Sequence, residues 1–314
     1  MRISTSSVFD GASARLTNLQ AKMDRIAQQV STGRKILNPS DDPVAAARSL
    51  ETQQSASIND QFAKNRLGVK NTLSITEGTM GSIVDTLQSV HEQIINAGNG
   101  VLSDEDRSYI ANALQGQLDQ LVSLANATDG AGNYVFAGHL NDSPPYTTVV
   151  DADTGAKTIQ YNGDEGQRWV QVDTERKMPV NFVGDQLFPK YPQGQADGKD
   201  MFKELQETIK LLQTPGVSSA DRQLQLSNAG KSFDRTLQAV NDQRSMVGVH
   251  LQQLDSLDSV GSDRANNYAQ TLAALQDLDY NQALSDLSRQ QLALQAAQKS
   301  FQQTSSLSLF NYIN

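Results

Sequence analysis

The chain has 314 residues, no cysteine, and 26 Lys and Arg against 35 Asp and Glu, for a net charge of -9 at pH 7. Disulfides, thiolate zinc sites and cysteine nucleophiles are excluded, and without a basic block neither nucleic acid nor an anionic membrane finds the clustered cations it needs. The length suits two or three domains with several cores, nowhere do about 18 apolar residues run together as a membrane span requires, and the first thirty residues lack a signal-peptide core, so export is expected to use no cleaved signal.

Phe9, Ala12, Leu16, Leu19, Met23, Ile26 and Val30 recur alternately three and four apart and predict a first helix with one apolar seam. Residues 1–37 are basic, with Arg2, Arg15, Lys22, Arg25, Arg34 and Lys35 against Asp10 and Asp24. Gly33 in "STGRK" ends it, and in "NPSDDPVAAARS" Asp42 is an N-cap with Pro43 at the first helical position. Asp41 and Asp42 are therefore read as capping rather than acid-base residues. Phe62, Val69, Leu73, Thr76, Met80, Ile83, Leu87, Val90 and Ile94 continue the spacing, with Arg66 at the one charged position, and predict a helix of about 50 residues, or about 75 Å. After "NAGNG", Ser103 and Asp106 form a capping-box pair that opens a third helix through Ile110, Leu114, Leu118 and Leu121, expected to fold back on the second.

From residue 134 the texture changes to short β-branched and aromatic runs separated by turn dipeptides. "TTVVDADTGAKTIQY" predicts a hairpin and "RWVQVD" a half-buried strand, and Trp169, the lone tryptophan, is expected in the core. The β segment is expected to be a compact insert that can be excised without breaking the helical seams. Helical spacing returns at Phe202, Leu205, Ile209 and Leu212, stops at "TPGV", and restarts after Ser218 with Leu226, Phe233, Leu237, Val240, Val247, Leu251 and Leu254. A last helix is expected after Gly261, carrying Tyr280, Ala283, Leu287, Leu294, Ala297 and Phe301 on a thin seam with Gln290 at one core position. The fold class is thus mainly α: a long-helix coiled-coil bundle built by the N- and C-terminal halves, with a small β domain inserted in the middle. The expected boundaries are 1–37 with 272–314 for a terminal helical domain, 38–133 with 200–271 for a helical bundle, and 134–199 for the β domain. The first and last helices share a period and are expected to pair in space.

Signs of catalysis are missing. His91, His139 and His250 stand apart without ligands at helical spacing, and "GKS" at 230–232 has Gln225 where a phosphate loop needs glycine. No catalytic, cofactor-binding or metal residue is assigned, no cofactor is expected, and the chain is read as a non-enzyme. The unusual feature is the apolar "LSLFNYI" at 307–313, where frayed polar sequence is usual.

The start "MRISTSSVFD", the turn "QQVSTGRKILNPSDDPVAAARS", the segment "GNYVFAGH" and the end "LDYNQALSDLSRQQLALQAAQKSFQQTSSLSLFNYI" together resemble the flagellin-like axial proteins of the bacterial flagellum, in particular their hook-filament junction branch. The resemblance implies a structural adaptor that forms a ring between hook-associated protein 1 and the flagellin filament, with terminal helices lining the axial tube and the β insert facing outward. It also implies export through the flagellar type III apparatus with a cytoplasmic chaperone on the C-terminal region, and an extracellular location in the flagellum. Nucleic acid and membrane are not expected partners. The second-ranked reading is flagellin itself, which usually has a longer Ala-rich and Gly-rich stretch in place of "NPSDDP" and ends in Leu-Leu-Arg. A cytoplasmic coiled-coil scaffold explains the heptads but not the β insert between them. The expected assembly interface with other subunits comprises Phe9, Leu16, Leu19, Met23, Ile26 and Val30 of the first helix and Leu287, Leu294 and Phe301 of the last. It is completed by Leu307, Leu309, Phe310, Tyr312 and Ile313 of the tail.

Overall fold

The computed structural model describes residues 5–150, 157–191 and 199–310. Its elements, in chain order, are α1 (Thr5–Thr32), α2 (Pro43–Ala97), α3 (Asp104–Ala125), β1 (Tyr146–Val150), β2 (Lys157–Tyr161), β3 (Trp169–Asp173), β4 (Arg176–Pro179), the single turn α4 (Gly184–Leu187), α5 (Met201–Gln213), α6 (Ser219–Gln276) and α7 (Tyr280–Phe310). The chain divides into one unit of residues 1–60 with 262–314 and another of residues 61–261.

Helix starts follow the capping residues. The Asp42 carboxylate accepts the Ala45 N–H at 2.9 Å at the head of α2, which runs 55 residues. Ser103 and Asp106 exchange the two bonds of a capping box at the head of α3. Those bonds, led by the one from the Ser103 side chain, hold the Asp106 carboxyl below its usual range. Ser218 accepts the Asp221 N–H at 3.1 Å before α6. Asp200 caps α5 by accepting the Lys203 N–H at 2.8 Å, although burial pushes its carboxyl upward.

The core of the 61–261 unit is built from the predicted seams. Leu73, Met80, Ile83 and Leu87 of α2, Leu114, Leu118 and Leu121 of α3, Phe202 and Leu205 of α5, and Phe233, Val240 and Leu254 of α6 are buried in one cluster. α3 packs closely on α5. A line of ion pairs sets α2 antiparallel to α6, Arg66 with Asp258, Lys70 with Asp255 and Glu77 with Arg244, and it is continued by His91 at 3.6 Å from Asp234. Most of these pairs are exposed and contribute more to register than to stability.

Arg66 is the exception. It is only 3 % exposed, donates from Nε to Asp258 at 2.5 Å and from Nη1 to the Val172 carbonyl at 3.1 Å, and so ties α2 to α6 and to β3. It also explains Gly261. The sequence predicts a helix break there, but α6 runs straight through to Gln276, and a Cβ on Gly261 would lie 2.3 Å from Arg66 Nη2. The glycine makes room for a guanidinium rather than ending a helix. The break comes instead at 277–279. Gly261→Ala is expected to cost about 1–3 kcal/mol by forcing the buried guanidinium off its partners. Gly248→Ala in the same helix, where a Cβ meets nothing within 4 Å, is expected to stabilise by about 0.5–1 kcal/mol. Denaturant titration of the two variants checks the difference in sign.

The β region contains two antiparallel hairpins, β1 with β2 (Tyr146 opposite Tyr161) and β3 with β4 (Trp169 opposite Pro179). Residues 151–156, between β1 and β2 in sequence, lie outside the described residues. Trp169 is 55 % exposed, which corrects the expectation of a core tryptophan. Val172 is buried and Val170 half-buried on the inner face of β3, and the period of two sends Trp169 outward. A lone two-stranded hairpin is marginal in water, so these hairpins depend on what lies beneath them. Tyr146, Ile159, Val172, Met178 and Phe188 belong to the same buried cluster as the helices. The Phe202 ring sits 4.8 Å from that of Phe188 and 5.1 Å from that of Tyr146. The Asn126 side chain at the end of α3 both donates to and accepts from the Tyr146 backbone. The insert shares a core with α3 and α5, contrary to the expectation that it lifts out cleanly.

Candidate assembly surface

In the unit of residues 1–60 and 262–314, α1 and α7 pack side by side and antiparallel. At one end the Phe9 and Phe301 rings lie 5.0 Å apart. At the other, Arg34 and Asp277 form an antiparallel bridge, the Lys35 N–H donates to the Gln276 carbonyl at 2.7 Å, and the Leu278 N–H donates to the Gly33 carbonyl at 3.0 Å. Gly33 takes φ +69°, and a Cβ there would come within 2.9 Å of the Tyr280 hydroxyl, so glycine ends α1 and admits Tyr280 against the turn. Asp279 accepts the N–H groups of Asn281 and Gln282 and starts α7. Asp41 accepts from Leu37 and Asn38 and pairs with Arg25 at 2.9 Å, which stiffens the basic turn.

The seams are where the heptads put them. Ala12, Leu16, Leu19, Met23, Ile26 and Val30 of α1, and Leu287, Gln290, Leu294, Ala297 and Phe301 of α7, are all half-buried. Among the described residues of the two helices only Ala283 is fully buried. Phe9 remains 53 % exposed. Leu73 and Leu114 of the other unit, by contrast, are wholly buried. A two-helix contact covers one side of a large side chain, and a third element is needed to cover the rest. Gln290 Oε1 is removed from water without a hydrogen bond, an added cost to the pair.

The structure therefore brings Phe9, Leu16, Leu19, Met23, Ile26, Val30, Leu287, Leu294 and Phe301 onto one intrachain pair, Phe9 exposed and the others incompletely covered. α7 extends through Phe310, and so carries the backbone of Leu307, Leu309 and Phe310 as helix. The side chains of those three, and Tyr312 and Ile313 altogether, lie outside the described residues. Sequence reasoning missed a second, outward set. Leu284 (49 %) and Leu292 (69 %) of α7, and Val44 (63 %), Leu50 (68 %) and Ile58 (46 %) of α2, are exposed off the seams. Their signal was present in the sequence as large apolar residues out of phase with the heptads.

Two of the three histidines face carboxylates, whereas His250 Nδ1 is buried without a hydrogen-bond partner. His91 lies 3.6 Å from Asp234 and His139 3.7 Å from Asp164, and Glu204, whose carboxyl burial pushes up, accepts from Gln225. Among the described residues no group of three or more His, Cys, Asp or Glu could hold a metal ion. No described helix is long and apolar enough to cross a membrane.

The bacterial flagellin N-terminal helical region matches residues 3–141. The chain is 35 % identical to the flagellar hook-associated protein 3 of Salmonella typhimurium over 99 % of both chains. Flagellin 1 of Proteus mirabilis is a more distant relative, 25 % identical over 55 % of this chain and 44 % of its own. The fold is similar to that of the flagellar junction protein of Legionella pneumophila, with TM-score 0.59 and 20 % identity, covering 73 % of this chain and 100 % of that one. The full-length identity, together with a flagellin-type helical start and an antiparallel terminal helix pair, shows that the chain belongs to the flagellar hook-associated protein 3 family, structural proteins of the bacterial flagellum.

Proposed function

We propose that this chain is a non-catalytic adaptor of the flagellum that forms a ring between hook-associated protein 1 and the flagellin filament. The observation that carries the reading is the α1/α7 seam, whose large side chains are left incompletely covered by the chain's own fold. In the ring, residues 1–37 and 272–314 form the axial part, neighbouring subunits cover Phe9, Leu16, Leu19, Met23, Ile26, Val30, Leu287, Leu294 and Phe301, and the tail residues Leu307, Leu309, Phe310, Tyr312 and Ile313 are buried between subunits. Residues 38–133 and 200–271 form the surrounding bundle, and 134–199 face outward. Ordering the terminal pair and assembling the ring are then one event, since the area that offsets the ordering entropy is supplied by other subunits. The same property suits a chain that leaves the cell unfolded through the flagellar type III apparatus, without a cleaved signal, after a chaperone has shielded its C-terminal region.

An adaptor stops after one layer, whereas flagellin propagates. Purified protein seeded with salt-induced flagellar nuclei is expected to yield no filaments by electron microscopy. Long filaments made of this chain alone would assign it to the flagellin role instead.

A further inference from the structure

The first part of α2 is amphipathic the wrong way round. Ser49 is 5 % and Asn59 6 % exposed, while Val44, Leu50 and Ile58 point outward at 63 %, 68 % and 46 %. At 100° per residue these three share about a third of the helix circumference, opposite Ser49 and Asn59. α7 carries a second exposed stripe in Leu284, which flanks the seam residues Leu287 and Leu294, and Leu292, on the side away from them. Both stripes belong to the unit of residues 1–60 and 262–314.

The two stripes match. Leu50 and Ile58 are eight residues apart, as are Leu284 and Leu292, so each pair spans about 12 Å along its helix. Glu51 stands beside Leu50, exposed and without an ion-pair partner among the described residues. Arg289 lies between the two leucines along the axis of α7 and about 60° around the helix beyond Leu292, 73 % exposed and in a loose 3.5 Å pair with Asp286. One stripe is apolar with a carboxylate and the other is apolar with a guanidinium. Because they are different surfaces of one chain, their union is head to tail, and a head-to-tail contact forms a ring where its rotation closes and a filament where it does not, while a self-complementary one stops at a dimer.

We infer that the outer face of α7 in one subunit docks on the Val44, Leu50 and Ile58 face of α2 in the next copy of this chain, with Glu51 opposite Arg289. The inference rests on the ring assembly proposed above and names its lateral contact. It also accounts for the burial of small and polar residues in this part of α2, because the large apolar side chains are reserved for the neighbour.

The absence of cysteine makes the contact directly testable. Leu50→Cys and Leu292→Cys, placed together in the full chain, are expressed in cells lacking their own copy, and intact flagella are oxidised with copper phenanthroline. The expected result is a ladder of multimers of this chain on non-reducing gels, with each single variant remaining monomeric. Ile58→Cys with Leu284→Cys serves as the second pair. Adding Glu51→Arg is expected to lower ladder yield at least ten-fold, and Arg289→Glu in the same chain to restore it. Motile cells with no ladder from either pair, dimers from one cysteine alone, or cross-links to another flagellar protein would each overturn the inference. Swimming cells without a ladder would leave the adaptor reading intact, whereas filaments in the seeding experiment would remove that reading independently.

Discussion

Phe202→Ala is expected to lower the unfolding free energy of the purified protein by about 3–5 kcal/mol, the usual range for emptying a fully buried aromatic site. Phe202 is wholly buried and stands where α5 meets the β region, its ring against Phe188 and Tyr146. Neither hairpin holds itself together, so the loss spreads into β1, which hangs on Tyr146 and its two bonds to Asn126. Burial also pushes the Tyr161 hydroxyl, which lies beneath the Gly184 N–H, to about 12. Urea titration followed by far-ultraviolet circular dichroism measures the loss. Excision of residues 140–195 is expected to do the same damage, since it removes the Tyr146 and Phe188 rings packed on Phe202. A helical remnant with undiminished stability would show that the β region is a detachable insert after all.

The second large effect concerns function. Replacing Leu309, Phe310 and Ile313 with Ser is expected to leave the melting of the isolated protein unchanged while preventing stable junctions, so that flagellin is shed into the medium. If these side chains are buried between subunits, each contributes about 1.5–3 kcal/mol relative to exposure, repeated at every contact around the ring. Thermal unfolding of the monomer, together with motility and secreted flagellin, measures both arms on one variant. A destabilised monomer would place the tail in the chain's own core, and normal motility would exclude it from assembly.

The helices and their seams were legible because heptad spacing reports directly which residues share a face. The half-buried positions of α1 and α7 fall on Leu16, Leu19, Met23, Ile26, Val30, Leu287, Leu294 and Phe301, down to Gln290 at its core position. Caps were legible for the same reason: Asp42, Ser103 and Ser218 act within three residues of themselves. Part of what escaped depends on partners distant in sequence. Gly261 reads as a helix end until Arg66, on another helix, occupies the space above it. Trp169 was assigned by composition, although the alternation of its own strand already turned it outward. The outer stripes of α2 and α7 were invisible to seam reasoning because it follows the inner face, and no described residue of the chain covers them.

Hydrogen exchange of the isolated protein and of assembled flagella tests most directly the claim that terminal order and assembly are one event. In dilute monomer, the amides of α1 and α7 are expected to exchange within seconds to minutes while those of residues 69–94 stay protected for far longer, and in flagella both are expected to be protected. Strong protection of α1 and α7 in the monomer would contradict the account.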